Sequence, residues 1–204
     1  MKKTYEAFDW KSLLNDGPII GVDEVGRGCL AGRVYAAACI LNLTKDHMHY
    51  TDSKLLSEKR RLEYSNQIKV DHQYCIAYAE VDEIDELNIL NASLLAMKRA
   101  VEGLEVGMGT VLVDGNKTIT NLDPAYQQIT LVKGDLRAQP VAAAAILAKV
   151  ERDRYISELG DQFPNYGFAT HKAYPTKVHK EAIASFGPSP VHRKSFKGVK
   201  EFIK

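Results

Sequence analysis

Apolar residues along this chain form two kinds of pattern, short continuous runs and longer stretches with helical spacing. The short runs are bounded by glycine, proline or polar residues, which is typical of buried strands. They occur in the segments PIIGVDEV, GRVYAAACILNL, QYCIAYAEV, GTVLVDGN and QQITLVKGD. The pattern therefore predicts a strand in each segment, with the last strand ending near Asp135.

Helical spacing separates several of these runs. TDSKLLSEKRRLEYSNQI predicts a loop and then a helix, with Ser57 as its N-cap and Leu62, Tyr64 and Ile68 facing inward. The acidic and then leucine-rich segment after QYCIAYAEV predicts a helix that is broken near Asn88, and QPVAAAAILAKVERDRYISEL predicts a long helix. Because strands alternate with helices, we expect an α/β domain with a mixed five-stranded sheet flanked by helices.

The C-terminal part of the chain has a different composition. Prolines and glycines interrupt it from Gly160 onward, and we expect one helix there, around residues 176–185. Residues 165–204 hold eight Lys or Arg against two Glu, a balance of +6, so the remainder of this +1 chain carries −5. Clustered cations favour phosphate contacts, although a solvated basic tail has the same composition. We expect a core over residues 1–160 and a basic helical extension over 161–204, packed together as one domain.

Length and composition narrow the class of protein. A chain of 204 residues with 45% apolar residues can bury the core of one globular domain. The longest apolar runs, VYAAACIL and VAAAAILA, are too short to span a bilayer, and the start MKKTYEAFDWKSLL does not resemble a signal peptide. Three cysteines without CxxC spacing favour free thiols over disulfides or zinc. We therefore expect a cytoplasmic protein with no membrane partner.

Carboxylates follow three of the predicted strands. Asp23 and Glu24 come directly after IIGV, Asp114 after TVLV, and Asp135 a few residues after ITLV. Ligands gather at strand ends in sheets of this kind, so we expect these side chains to converge. Converged carboxylates favour hard cations such as Mg²⁺ or Mn²⁺, which support displacement at phosphorus by a two-metal mechanism.

Each acid also has a purely structural interpretation. An Asp before Gly is a common turn pair, which favours a turn role for Asp114 by itself. Asp135 could cap the following helix, and Asp23 with Glu24 could lie at an exposed strand end. Taken together these interpretations fit less well, because acids placed directly after apolar runs lose hydration without compensation. The sequence contains no nucleophile elbow, Walker loop or zinc-helix motif.

Several motifs, in this order, resemble the type 2 ribonuclease H family, specifically bacterial ribonuclease HII. They are GVDEVGRGCLAG, TDSKLLSEKR, LVDGN, VKGD, AAAAILAKVERDRY, YGFATHKAYPTKVH and GPSPVHRKSF, and they extend from Gly21 to Phe196. The resemblance implies a ribonuclease H-like fold with a C-terminal helical extension. It also implies an endonuclease that cleaves the RNA strand of RNA/DNA hybrids and nicks 5′ of single ribonucleotides in duplex DNA, leaving 3′-hydroxyl and 5′-phosphate ends, in ribonucleotide removal and RNA primer processing.

The resemblance further implies roles for particular residues. The family's four acidic metal-site positions correspond to Asp23, Glu24, Asp114 and Asp135.

The substrate-binding positions are implied in the same way. Gly26, Arg27 and Gly28 correspond to the GRG segment that reads the ribose 2′-hydroxyl, with a salt bridge from Arg27 to the acids as a companion role. Tyr174 corresponds to the tyrosine that packs on the sugar after the ribonucleotide, although a Tyr before Pro more often serves packing. Lys54 fits a phosphate contact and an exposed loop lysine equally well.

Other positions extend or depart from the family pattern. We expect His192, Arg193, Lys194 and the later lysines to contact phosphates of the duplex. Ala173 stands where the family usually has glycine, which could change how the following tyrosine is presented. Cys29 stands at a position that is often proline.

The long helix of this chain also departs from the family's SAAS pattern. Ala142 and Ala145 replace its two serines, so any hydroxyl contact to substrate from those positions is lost.

Two further expectations concern the type and class of protein. Only 22 residues precede Asp23, which favours ribonuclease HII over ribonuclease HIII with its extra N-terminal domain. We expect a monomer. A hybrid-binding module without catalysis and a nuclease that cuts all-DNA duplexes are the alternatives, and the complete set of four acids argues against the first.

Overall fold

The computed structural model describes residues 5–203, apart from the side chain of Asp16. Residues 1–4 and 204, at the ends of the predicted core and extension, lie outside the described residues. Within the described part, five strands form one sheet in the order β3-β2-β1-β4-β5. The strands are β1 (Ile19–Val25), β2 (Val34–Ile40), β3 (Gln73–Ala79), β4 (Gly109–Asp114) and β5 (Tyr126–Leu131).

The sheet is mixed, as the sequence pattern predicted. β1 pairs antiparallel with β2, which pairs antiparallel with β3, whereas β1, β4 and β5 run parallel to one another. Val22 of β1 lies beside Val113 of β4. The carboxyl ends of three strands therefore open at the same edge of the sheet, and the residues that follow Val22 and Val113 lie next to each other.

Helices cover both faces of this sheet. They are α1 (Glu58–Asp71), α2 (Val81–Leu87), α3 (Ile89–Glu102), α4 (Gln139–Gln162), α5 (Phe168–His171) and α6 (Lys177–Phe186). Successive strand residues point to opposite faces, so Ile20 and Val22 pack in the cluster that includes α3, while Ile19 and Leu112 pack in the cluster that includes α4. No helix in the described part of the chain is both long and apolar enough to cross a membrane.

The local predictions for the helices are largely confirmed. Ser57 caps α1 by accepting a hydrogen bond from the backbone NH of Arg60, and Ile68 is fully buried. The prediction that Leu62 faces inward is wrong, because this side chain is 52% exposed on the solvent side of α1. The predicted break near Asn88 is confirmed: its φ of 68° separates α2 from α3, and its side chain caps α3.

The C-terminal part packs on the second half of α4. Ile156 of α4, Phe168 of α5, Ile183 of α6 and Val199 form a third buried cluster with Leu30 of the β1–β2 connection. The expectation of one helix here is wrong, since α5 precedes α6. The boundary predicted after residue 160 falls inside α4, which continues to residue 162, and the division into core and extension stays a prediction.

Gly21 in the middle of β1 packs closely against the start of α4. A Cβ on Gly21 would lie 2.0 Å from the carbonyl carbon of Pro140 at the start of α4. The alanines that follow, from 142 to 145, keep α4 close to the sheet. Only a glycine in β1 permits this contact between two backbones.

We expect Gly21→Ala to lower the free energy of unfolding by about 3 kcal/mol or more, because neither backbone can move away. Urea denaturation measures the loss. Gly107→Ala is the control: Gly107 has a φ of +73° but no atom within 4 Å of an added Cβ, so strain alone should cost about 1–2 kcal/mol. Equal losses in the two variants would contradict the close-packing argument.

Candidate active site

Four acidic side chains lie at the edge where β1, β4 and β5 end. Asp23 is on β1 and Asp114 is the last residue of the adjacent parallel strand β4. Asp135 was predicted near the end of a strand, and that placement is wrong: β5 ends at Leu131, and Asp135 belongs to a short 3-10 turn, Gly134–Leu136. The turn still brings Asp135 back to the same edge.

Backbone hydrogen bonds hold these acids in place. Gly134 donates its NH to Asp114 Oδ1 over 2.7 Å, which ties the turn after β5 to the end of β4. Lys133, with a φ of 60°, forms the left-handed corner that allows this turn. Glu24 donates its backbone NH to Asp23 Oδ1 over 2.7 Å.

The side chain of Glu24 lines a different part of the site from Asp23. Because neighbouring strand residues point to opposite faces, Glu24 faces a groove of about 170 Å³ that it shares with Arg27, Asp114 and the first half of α3. Glu24 Oε1 lies 3.4 Å from Arg27 Nη1, the salt bridge expected as a companion role of Arg27. Asp114 therefore lies between the two faces and connects Asp23 with Glu24.

The electrostatics of the acids show mutual repulsion. Burial raises the pKa of Asp23 well above its usual value, and the neighbouring carboxylates raise it further. Burial also raises the pKa of Asp114 and of Glu24, against opposing interactions with Gly134 and Arg27 respectively. Burial, then the charges of Asp52 and Asp114, raises the pKa of Asp135 to about 6. Burial and mutual repulsion therefore outweigh the nearby positive charges, although Arg27 lowers the pKa of Glu24 and Lys54 lowers that of Asp114.

This donor set fits a hard divalent cation. Asp135 Oδ1 is buried and has no hydrogen-bond partner, and the Asp23 and Asp114 carboxyls are close enough to hydrogen-bond when one is protonated. Within residues 5–203, no group of three His, Cys, Asp or Glu side chains is arranged to coordinate a metal ion without other ligands. Mg²⁺ does not need one, because it usually keeps several waters and binds through one or two carboxylates plus substrate phosphates.

Lys54 is brought to the acids by a small turn that the sequence did not highlight. Asp52 Oδ1 accepts a hydrogen bond of 2.8 Å from the backbone NH of Lys54 and begins the turn. Burial lowers the pKa of Lys54, but Asp52 and three of the site carboxylates together raise it. Lys54 is exposed and lies in the electrostatic field of the acidic site, and its phosphate contact stays a prediction. Asp52 was missed because its buried position depends on the tertiary fold.

The GRG segment and Tyr174 come together although they are far apart in the sequence. A Cβ on Gly28 would lie 3.7 Å from Tyr174 Cε1, an ordinary van der Waals distance, so the ring lies next to this glycine. Tyr174 is 39% exposed beside it. Gly26 has a φ of +98°, which favours glycine at the point where β1 turns away from the sheet. The GRG loop thus lies between Glu24, which Arg27 contacts, and the ring of Tyr174.

The predicted phosphate contacts of His192 and Arg193 are wrong, because both side chains are completely buried. The guanidinium of Arg193 donates to the backbone carbonyls of Arg27, Cys29, Gly32 and Arg33. Arg193 therefore fixes the main chain of the GRG loop. Lys194 is exposed, and its phosphate contact stays a prediction.

The departures from the family pattern also find a structural setting. Ala142 and Ala145 are buried in α4. Cys29 is a buried free thiol whose Sγ accepts a hydrogen bond of 3.2 Å from Arg152 Nη2. Ala173 is fully buried with a φ of 61°, in the left-handed region that favours glycine. The Ala in place of Gly therefore adds strain directly before Tyr174.

The geometry can be compared with known proteins. A family model described as ribonuclease HII matches residues 20–199. The chain belongs to the ribonuclease HII family. It is thus a ribonuclease H, a hydrolase with endonuclease activity on RNA/DNA.

Solved structures of ribonucleases support this membership. A ribonuclease HII from Archaeoglobus fulgidus, solved in complex with PCNA, is 26% identical over 89% of this chain and 96% of its own, with a TM-score of 0.73. The ribonuclease H2 of Pyrococcus horikoshii has 22% identity and a TM-score of 0.73 over 91% and 97% of the two chains. Bst-RNase HIII, solved with Mn²⁺, has 15% identity and a TM-score of 0.71 over 90% of this chain and 68% of its own. The predicted ribonuclease H-like fold is confirmed.

We expect Asp135→Asn to stabilise the metal-free protein at neutral pH. The folded state keeps the Asp135 proton up to about pH 6, whereas the unfolded chain releases it near 3.8, so stability falls as the pH rises between these values. In EDTA at pH 7 the variant should gain about 1 kcal/mol, a rise in Tm of roughly 2–4 °C, and the gain should shrink towards pH 4.

Glu63→Gln, which replaces an exposed carboxylate on α1, is the control and should show no such gain. A stability difference between Asp135→Asn and the wild type that does not change with pH would contradict the role of the raised pKa.

Proposed function

We propose that this ribonuclease HII cleaves the RNA strand of RNA/DNA hybrids and nicks duplex DNA on the 5′ side of a single embedded ribonucleotide, leaving 3′-hydroxyl and 5′-phosphate ends. The observation that carries the proposal is the convergence of four acids next to Arg27 of the GRG loop, with Tyr174 Cε1 3.7 Å from the position of a Cβ on Gly28. One part of this surface suits a ribose 2′-hydroxyl and the other a scissile phosphate.

The acids supply the catalytic part of the proposal. Asp23, Glu24, Asp114 and Asp135 would hold Mg²⁺ or Mn²⁺, and their excess negative charge supports this role. Divalent ions held there supply activation of a water and stabilisation of the leaving oxygen at phosphorus. The protein's own contribution is to fix the carboxylates through backbone NH groups before substrate arrives.

The substrate-binding part lies on the loops around the acids. Gly26 and Gly28 let the main chain approach a ribose closely, which suits recognition of its 2′-hydroxyl. Arg27 is half exposed and can reach a phosphate beyond its salt bridge to Glu24. Lys54 would contact a phosphate near the acids, and the exposed face of Tyr174 would pack on the next deoxyribose.

The C-terminal extension would bind the duplex away from the cut. Lys194, Lys197 and Lys200 are exposed along its surface and would contact phosphates without reading sequence. Action as a monomer and a cytoplasmic location stay predictions from the sequence.

We expect Asp114→Asn to reduce nicking by roughly 10²-fold or more, because it removes a metal ligand between the two faces of the site. Binding to the duplex should be nearly unchanged, because the phosphate contacts remain. A labelled DNA duplex with one ribonucleotide, incubated with Mg²⁺ or Mn²⁺, reports the nick, and its electrophoretic shift reports binding.

Asp161→Asn, at the exposed end of α4, is the control and should behave like the wild type. Unimpaired turnover of Asp114→Asn would mean that Asp114 is only a turn residue. Binding by the wild type without any nick would support a hybrid-binding module, and cutting of an all-DNA duplex would support a less specific nuclease.

We expect Tyr174→Ala to reduce nicking at a single embedded ribonucleotide about tenfold more than cleavage of a uniform hybrid, because loss of the ring removes a stacking contact to the deoxyribose. The ratio of kcat/KM on the two substrates measures the effect. Tyr74→Ala, on the edge strand β3 and similarly exposed, is the matched control. Equal losses of Tyr174→Ala on both substrates would rule out the sugar-stacking role.

A further inference from the structure

Two buried histidines form a continuous hydrogen-bonded chain that ends at Tyr174. His179 and His192 are fully buried, and their Nε2 atoms lie 3.0 Å apart. His179 Nδ1 lies 3.0 Å from the backbone carbonyl oxygen of Tyr174. His192 Nδ1 lies 2.9 Å from the backbone nitrogen and 2.8 Å from Oγ of Ser189. The chain thus connects Ser189 to Tyr174 through both imidazole rings.

The two ends of this chain independently determine where its protons lie. The Tyr174 carbonyl can only accept, so His179 Nδ1 carries the hydrogen, and a neutral ring then leaves His179 Nε2 as an acceptor. At the other end the backbone NH of Ser189 can only donate, so His192 Nδ1 is the acceptor and its Nε2 carries the hydrogen. His192 Nε2 therefore donates its hydrogen to His179 Nε2 where the two rings meet.

The surroundings favour the neutral form of both rings. Burial lowers the pKa of His179 and of His192 to about 4. The titratable groups packed against them are His171, stacked on His179 at 4.6 Å, and Tyr166, 4.8 Å from His192, and neither supplies negative charge to hold a proton. The paired Nε2 atoms are occupied with each other, and no metal-ligand group of three or more exists within residues 5–203.

The same segment also holds the GRG loop. Arg193, the residue after His192, donates from Nη1 to the carbonyls of Arg27 and Cys29 over 3.1 and 2.8 Å. Its backbone NH donates to the Leu30 carbonyl over 2.9 Å. One short segment therefore reaches the GRG loop through Arg193 and the Tyr174 turn through His192.

The Tyr174 turn needs such support. Lys172 and Ala173, the two residues before it, have φ values of 50° and 61°, a conformation that costs free energy unless the surroundings hold it. The carbonyl of Tyr174 accepts from Thr176 NH and from His179 Nδ1. The imidazole of His179 holds the carbonyl of Tyr174 itself, while Arg152 Nη1 donates to the carbonyl of Lys172 over 3.4 Å at the start of the turn.

We propose that His179 and His192 are positioning residues that, together with Arg193, set the ring of Tyr174 against Gly26–Gly28 and so set the preference for an embedded ribonucleotide. This inference rests on the proposed role of Tyr174. It adds a defined order of hydrogen bonds, in which Ser189 donates to His192, His192 to His179 and His179 to Tyr174. This order fixes the distance between Tyr174 and the GRG loop on the two sides of the proposed ribose site.

The proton arrangement can be tested without activity. In protein with ¹⁵N-labelled histidine, we expect His179 to be protonated at Nδ1 and His192 at Nε2, with a scalar coupling between the two Nε2 nitrogens across their hydrogen bond. A reversed tautomer of either ring, or the absence of the coupling, would overturn the proposal. This measurement uses the wild-type protein without substrate or metal. Its result therefore does not depend on whether the variants fold.

The positioning role is tested with variants in which a side-chain amide takes the place of one nitrogen of the imidazole ring. His179→Asn places an amide where Nδ1 was and keeps the donor to Tyr174, whereas His179→Gln places it where Nε2 was and loses that donor. We expect His179→Gln to lower the ratio of embedded-ribonucleotide to hybrid kcat/KM about tenfold and His179→Asn to lower it less than about threefold. His192→Asn should lower it about threefold, because it no longer orients His179.

The outcomes separate this inference from the proposed function. If the wild type nicks and His179→Gln keeps the wild-type ratio, the positioning role is overturned while the proposed function stands. If the wild type does not nick, the proposed function fails. The NMR chemical shifts of the backbone amides of Gly26–Gly28 in substrate-free protein then decide whether the positioning role holds. Shifts changed by His179→Gln but not by His179→Asn support positioning, and unchanged shifts overturn it.

Discussion

The parallel pairing of β1 with β4 is the constraint on which the rest of this structure depends. It places Asp23 and Asp114 side by side at one edge of the sheet, and the turn after β5 adds Asp135 to them. Their mutual repulsion adds to burial in raising the pKa of Asp23, while the backbone NH of Gly134 and the charge of Lys54 partly offset it at Asp114. The remaining excess of negative charge is what makes the edge suitable for a divalent cation.

Positively charged side chains, in contrast, hold the loop that carries the GRG segment. Arg193 and Arg152 are cations without exposure to solvent, and they bind main-chain carbonyls and the Cys29 thiol around the GRG loop. The C-terminal segment therefore has a structural role besides its exposed lysines. Arg193 holds the main chain of the GRG loop, and the histidine pair reaches the carbonyl of Tyr174.

Much of this arrangement could be predicted from the sequence because its signals are local. Period, caps and turn residues identified every strand of the sheet, the N-cap Ser57 and the break at Asn88. Acids after apolar runs predicted the edge of the sheet at which the four carboxylates meet. The errors were also physical in origin: Leu62 fits a helical period but faces solvent, and Asp135 reaches the edge through a turn that no period encodes.

The sequence by itself determined the order of the elements, the set of acids and the family, because these depend on residue type and on spacing along the chain. Only the tertiary structure decided which cations are buried and which are free to meet a polyanion. Arg193 and Lys194 are neighbours of the same charge, yet one binds carbonyls in the interior and the other faces solvent. That difference arises from contacts with residues about 160 positions away in the chain, which no local pattern can report.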